Sequence, residues 1–339
     1  MITNLSRATL RSRHRLSHQQ IDDILHENSG KEYLHEKLIQ LQKLSSFLEL
    51  TTKFDEQNLW YVVLKGPLLS HRIYGDPVVR IWRDFDFLTK PELVEKFIEI
   101  LTFQGFEFVT SDWPAKKKRQ RMYLQYGKHI DMRHPKTGIT VEIHWKLFSD
   151  RLISPDLEWG LILDHIEQRE LTGKSYNCFT NEFELLYLVI HGSMHAWFRL
   201  KWLTDIREML VRLHIDREVF LKLSKEMNAG RFVCVCNRAI ESYFPQCELL
   251  PCEISGCGKT GNYMLNQIKS ASDQMNLTFF ETVKAIQYKM SLSPKLRYKM
   301  DVFRLVTFNR QDLKYNFIPP FPVFFYLFRP FGIFLRKFQ

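Results

Sequence analysis

Residues 61–90 read YVVLKGPLLSHRIYGDPVVRIWRDFDFLTK, and the parsing of this stretch decides the fold. Residues 61–64 are a short apolar run that predicts a buried strand. Lys65-Gly66-Pro67 breaks the run, residues 68–74 predict a short helix, and Gly75-Asp76-Pro77 marks a turn. Asp84-Phe85-Asp86-Phe87-Leu88 then alternates polar with apolar. At strand period the carboxylates of Asp84 and Asp86 share one face and Phe85 and Phe87 point into a core. Two acids held so close repel one another unless a cation sits between them, and a hard ion with oxygen ligands, Mg²⁺, suits the pair.

Working outward, residues 33–52 place Leu and Ile at three-to-four spacing and predict an amphipathic helix, and residues 92–104 predict another that ends at Gly105. Residues 106–110 can add a strand. The basic run KKKRQR at 116–121 reads as a solvated loop leading into an edge strand at 122–126, with polyanion contact the less favoured reading. Residues 130–133 and 139–145, joined by His134-Pro135-Lys136-Thr137-Gly138, predict a hairpin. Its second strand puts Thr140, Glu142 and His144 on one face and Val141 and Ile143 on the other. On that strand alone, Glu142 reads as an exposed residue paired with a basic neighbour. Residues 182–197 predict a helix with His191 and His195 one turn apart, and residues 200–213 predict the next, carrying Asp205. No Glu follows His191 as it does in HExxH, so packing or substrate-pocket roles are favoured for both histidines over a zinc pair.

The wording LKGPLL, RIYGDPVVRIWRDFDFL, VEIHW and HGSMHAWFRLKWLTDI resembles the bacterial uncharacterised nucleotidyltransferases of the DNA polymerase β-like superfamily, across the middle half of the chain. The resemblance implies an α+β fold, with a mixed sheet flanked by helices and a helical domain after it. It implies Asp84, Asp86 and Glu142 as catalytic metal ligands, two Mg²⁺ ions with Mn²⁺ as the substitute, and an NTP donor whose NMP passes to an acceptor. Lys65, Gly66, Ser70 and Arg80 match nucleotide-binding positions. His144, His191, His195 and Asp205 match acceptor or supporting positions, with Asp205 bracing a histidine as one reading. The acceptor is left as a hydroxyl or phosphate of a small molecule, glycan precursor or peptide. Two residues depart from the pattern: Pro67 stands where a second small residue is usual and removes a backbone donor, and Arg83 stands where a small Ser is common. They support an alternative, a catalytically weakened binding or scaffold module of the same fold.

The expected division is a helical segment at 1–55, the α/β core at 56–175, a helical domain at 176–315 and an aromatic, basic tail at 316–339. Residues 288–339 hold ten Lys/Arg against two Asp, so +8 of the chain's +10 belongs to this end, and the rest offers no polyanion groove for nucleic acid. The 27 Phe concentrate there too, which predicts either an arm folded on the helical domain or an interfacial anchor for a membrane or protein partner. The start lacks an apolar signal region and there is no run of 18 apolar residues, so a cytoplasmic protein is expected, with peripheral membrane attachment through the tail as the variant. Cysteines at 178, 234, 236, 247, 252 and 257 lack CxxC spacing and read as reduced thiols.

Overall fold

A computed structural model describes residues 1–109, 113–270, 278–308, 312–313, 315 and 317–328. The chain forms two compact units: Met1–Phe47 with Lys65–Trp82 and Leu152–Lys295, and Leu48–Leu64 with Arg83–Arg151 and Leu296–Gln339.

The second unit holds the sheet. Its strands among the described residues are β1 (Val62–Leu64), β2 (Asp84–Leu88), β3 (Glu107–Phe108), β4 (His129–Arg133) and β5 (Thr140–His144), in the order β1-β2-β5-β4-β3. β2 and β5 run parallel and the other pairs antiparallel, giving the mixed sheet of an α+β fold. Alternation decides which face is buried. Phe85, Phe87, Val141, Ile143, Ile130 and Met132 are all at most 1% exposed. Phe54, Tyr61, Phe87 and Phe97 meet edge to face beneath them, with Phe54 5.3 Å from Phe87 and 4.7 Å from Phe97. The opposite face carries the polar residues.

The basic run does not form a loop and edge strand. Lys117–Tyr126 is a helix, because Arg119, Gln120, Met122 and Tyr123 share a buried face at helical spacing that their polarity conceals. Trp145 Nε1 and Lys146 Nζ donate to carbonyls of Leu124 and Gly127 at its C-terminal end, where a cation suits the helix dipole. Arg119 donates to the carbonyls of Leu313 (2.8 Å) and Ile318 (2.5 Å), and Lys118 lies 3.8 Å over the Phe321 ring. The aromatic arm therefore folds onto this helix, within the sheet unit, and its Phe325 and Tyr326 rings also meet Phe308 at the end of the helix Leu296–Thr307. Residues 322–328 are helical and Phe325 is buried, while Phe317, Phe321, Phe324 and Leu327 are exposed. Residues 316 and 329–339 lie outside the described residues. Arg151 holds Asp301 of the helix Leu296–Thr307 through Nε (2.6 Å) and Nη2 (2.7 Å). No helix among the described residues is long and apolar enough to cross a membrane.

The first unit is largely helical. Asn181–Met194 is buried on nearly every side and packs against Leu200–Arg212, Arg217–Glu226 and Gly230–Tyr243. It stops at Met194, short of the expected 197, because Ala196 and Trp197 turn left-handed and fold the indole back over Gly192. A Cβ on Gly192 would lie 2.4 Å from that ring. A hairpin absent from the sequence expectations, β6 (Ile166–Leu171) and β7 (Lys174–Phe179), turns through Thr172-Gly173, both at positive φ, as two-residue hairpin loops require. The charges of Glu167, Arg169, Glu170 and Lys174 hide its strand pattern.

Arg13 ties the ends of this unit together, donating to the carbonyls of Phe198, Gln267 and Ser270. Beside it His14 is 2% exposed and accepts the Leu200 amide at Nδ1 (3.3 Å). Burial, reinforced by the Arg13 charge, pushes its imidazole down to about 4. The folded chain therefore keeps His14 neutral while the unfolded chain takes up a proton near 6.5, so stability is full above that pH and falls as pH drops toward 4. Between pH 7 and 5 the loss should reach about 2 kcal/mol. Urea midpoints at the two pH values check this, and His14→Gln should flatten the difference.

Candidate active site

The sheet register builds the site. Asp86 on β2 pairs with Glu142 on β5, which pairs with Asp131 on β4. The row on one side is Asp84, Thr140 and Arg133, and the row on the other is Leu88, His144 and His129. Because side chains two apart on a strand share a face, these nine positions form one grid on the face opposite the aromatic core. The three acids expected as metal ligands thus share a face, and Asp86 and Glu142 are direct neighbours.

Imidazoles link the carboxylates. His144 Nε2 is 3.0 Å from Glu142 Oε2 and 3.4 Å from Asp86 Oδ1, and the His144 side chain is 2% exposed. His129 Nε2 is 2.7 Å from Asp131 Oδ1 and its Nδ1 is 4.0 Å from Glu142 Oε2. Burial pushes the His129 pKa down, with the Asp131 hydrogen bond opposing it. Asp86, Glu142 and Asp131 are all partly exposed, so ions and water can reach them. Four carboxylates close together on one face favour bound cations, and their oxygens suit a hard dication. His129, Glu142 and His144 also form a group that can hold a metal ion. Asp131 and His129 were not foreseen. The alternation of His129-Ile130-Asp131-Met132-Arg133, which repeats the logic of Asp84-Phe85-Asp86, carried the signal.

Arg83, one of the two departures, is exposed and forms no ion pair among the described residues, so it does not compete for these carboxylates. Pro67, the other, lies in the first turn of the helix Gly66–Tyr74. An amide there has no partner within the helix, so proline costs the fold nothing at this place.

The nucleotide-binding candidates belong to the first unit. Lys65 caps the helix at φ 62°, ψ −139°, a conformation costly for a side chain with a Cβ, and Gly66 follows at φ 66°. The Lys65 backbone N–H donates to the carboxylate of Glu184, and its ammonium lies 5.5 Å over the Tyr187 ring. Glu184 is buried and also takes the guanidinium of Arg72, which donates as well to Asn181 and to the Phe179 carbonyl. Burial pushes the Glu184 pKa up, and Arg72 opposes the shift. Glu184 and Arg72 thus anchor the strained residue, and neither was anticipated. Their signal was a charge inside each of two otherwise apolar helices.

Ser70 is fully buried; its hydroxyl donates to the Asp76 carbonyl (2.8 Å) and accepts the Arg80 amide (3.1 Å), bracing the turn. Arg80 Nε donates to both oxygens of Asp205, at 2.8 and 2.9 Å, with Arg80 3% and Asp205 0% exposed. Asp205 therefore braces Arg80 rather than either histidine. His191 and His195 stand 4.9 Å apart and pack on Trp202, at 5.4 and 5.2 Å.

Residues 10–245, more than half of the chain, match the model of the uncharacterised nucleotidyltransferase family. The chain belongs to this family. The protein is accordingly a nucleotidyltransferase, an enzyme that moves an NMP from an NTP donor. Among curated proteins nothing matches. Solved structures give distant likenesses. The lincomycin-bound lincosamide antibiotic adenylyltransferase LnuA is 16% identical, with 50% of this chain and 94% of that one covered at TM-score 0.33. The antibiotic-resistance factor ANT(2'')-Ia is 12% identical, covering 61% and 95% at TM-score 0.36. An antigenic nucleotidyltransferase-like protein from Paracoccidioides brasiliensis is 16% identical, covering 58% and 86% at TM-score 0.35.

Proposed function

We propose that this nucleotidyltransferase uses divalent metal, Mg²⁺ in the first instance, to move an NMP onto a hydroxyl or phosphate of a small molecule, glycan precursor or peptide. The observation that carries the reading is the pairing of Asp86 with Glu142, with Asp84 on the same face, inside the segment that matches the family. Asp84 and Asp86 hold the nucleotide-associated ion and Glu142 shares the second. A metal held by these residues would supply charge neutralisation for the triphosphate and for the leaving pyrophosphate. Lys65 and the amides at the start of the helix Gly66–Tyr74 bind phosphate oxygens, and the Lys65 N–H bond to Glu184 keeps that backbone in place. His144 orients Glu142 by its hydrogen bond.

A panel of α-labelled NTPs with Mg²⁺, cell-extract acceptors and pyrophosphate detection tests the reading. Label transfer from one NTP is expected. Nucleotide binding without label transfer from any NTP would favour the weakened binding module instead.

The exposed Phe317, Phe321, Phe324 and Leu327 favour a second role for the arm, docking an apolar partner surface or a membrane.

A further inference from the structure

One row beyond the acidic row, two imidazoles and a carboxylate offer a donor set different in kind from the D-x-D oxygens. His129 and His144 are paired positions on β4 and β5, and Glu142 shares their face. One donor atom from each lies within 4.8 Å of the other two. Donors around a single four-coordinate ion, each about 2.1 Å from it, stand roughly 3.4 Å apart, so rotations of about 1 Å at the side-chain tips close the set. His129 is already oriented for it. Asp131 Oδ1 lies 2.7 Å from Nε2, which favours the tautomer protonated there and leaves the lone pair on Nδ1, the nitrogen nearer to Glu142. A carboxylate behind a histidine fixes the tautomer and strengthens the donor, as it does for histidines that bind metals. His144 Nε2 lies 3.0 Å from the same Glu142 oxygen, and an ion that takes its place there displaces the proton of that hydrogen bond.

We infer that His129, Glu142 and His144 form a site for a first-row transition-metal dication of the Zn²⁺ or Co²⁺ kind, sharing Glu142 with the acidic row. Imidazole suits these ions, whereas Mg²⁺ prefers oxygen ligands and keeps much of its water. Three protein donors leave a coordination position open to water or to a phosphate oxygen. The inference concerns binding, deepens the metal assignment above, and stands or falls independently of transfer activity.

Full-length protein stripped by chelation and titrated calorimetrically with Co²⁺ and with Mg²⁺ is the test. Co²⁺ should bind at least about tenfold more tightly. His129→Ala and His144→Ala should each weaken Co²⁺ binding about tenfold or more, and Asp131→Asn about tenfold, with the His129→Ala loss larger for Co²⁺ than for Mg²⁺. Equal affinities for the two ions, or Co²⁺ binding unchanged in both histidine variants, would overturn the site and leave the histidines as hydrogen-bond partners only. If those variants misfold, the unaltered protein decides alone: pulsed EPR of bound Co²⁺ should show imidazole nitrogen couplings, and their absence refutes ligation by imidazole. Loss of nucleotidyl transfer in the NTP panel, with Co²⁺ binding intact, would count against the enzymatic reading and not against this one.

Discussion

Asp84→Asn combined with Asp86→Asn should lower nucleotidyl transfer by roughly three orders of magnitude or more, equivalent to about 4 kcal/mol of transition-state stabilisation. The fold should survive. Both side chains lie on the polar face of β2, while the residues that hold the strand, Phe85 and Phe87, point the other way and are buried. Removing two like charges from a face that also carries Glu142 and Asp131 relieves repulsion, so the metal-free variant should melt no lower than the parent. Label transfer and a thermal melt on the same preparation check both halves. Turnover retained near the parental rate would sink the mechanism, and a collapsed melt would show that the carboxylates hold the sheet instead.

Asp205→Ala should have the largest effect on stability, about 3–5 kcal/mol by urea unfolding. The cost comes from the Arg80 guanidinium, left in the interior without the carboxylate that takes its Nε. Replacing both partners with apolar residues of similar volume should cost far less, because no charge is then left behind. That contrast identifies the mechanism: a double replacement as damaging as the single one would mean that packing at Asp205, rather than charge, accounts for the loss.

The acidic pair, its buried partners and the hairpin carrying Glu142 were legible because each rests on alternation along a single strand. Asp84 to Leu88 and Thr140 to His144 alternate cleanly, and a period of two fixes the face. Asp131 and His129 obey the same period but sit between other charged residues, so their membership emerged only with the register. The helix Lys117–Tyr126 failed for a different reason: its buried face includes Arg119 and Gln120, and polarity is a poor guide where a buried guanidinium has carbonyl partners. Glu184 and Arg80 illustrate a third limit. Buried charges find partners more than 100 residues away, Glu184 at Arg72 and Arg80 at Asp205, and local pattern holds no trace of such pairing.

The docking of the arm has a consequence for how this protein can vary among its relatives. Arg119 grips the arm through the carbonyl oxygens of Leu313 and Ile318, atoms that every residue type possesses. Selection on the grip therefore falls on position 119 and on the path of the arm's backbone, while the side chains at 313 and 318 are constrained by their own burial, at 2% and 4% exposed. Related chains can change the arm's exposed side chains and keep the arm in place, provided that a guanidinium remains at 119 and apolar side chains fill 313 and 318. The surface that the arm presents outward is thereby free to diverge while its seat stays the same.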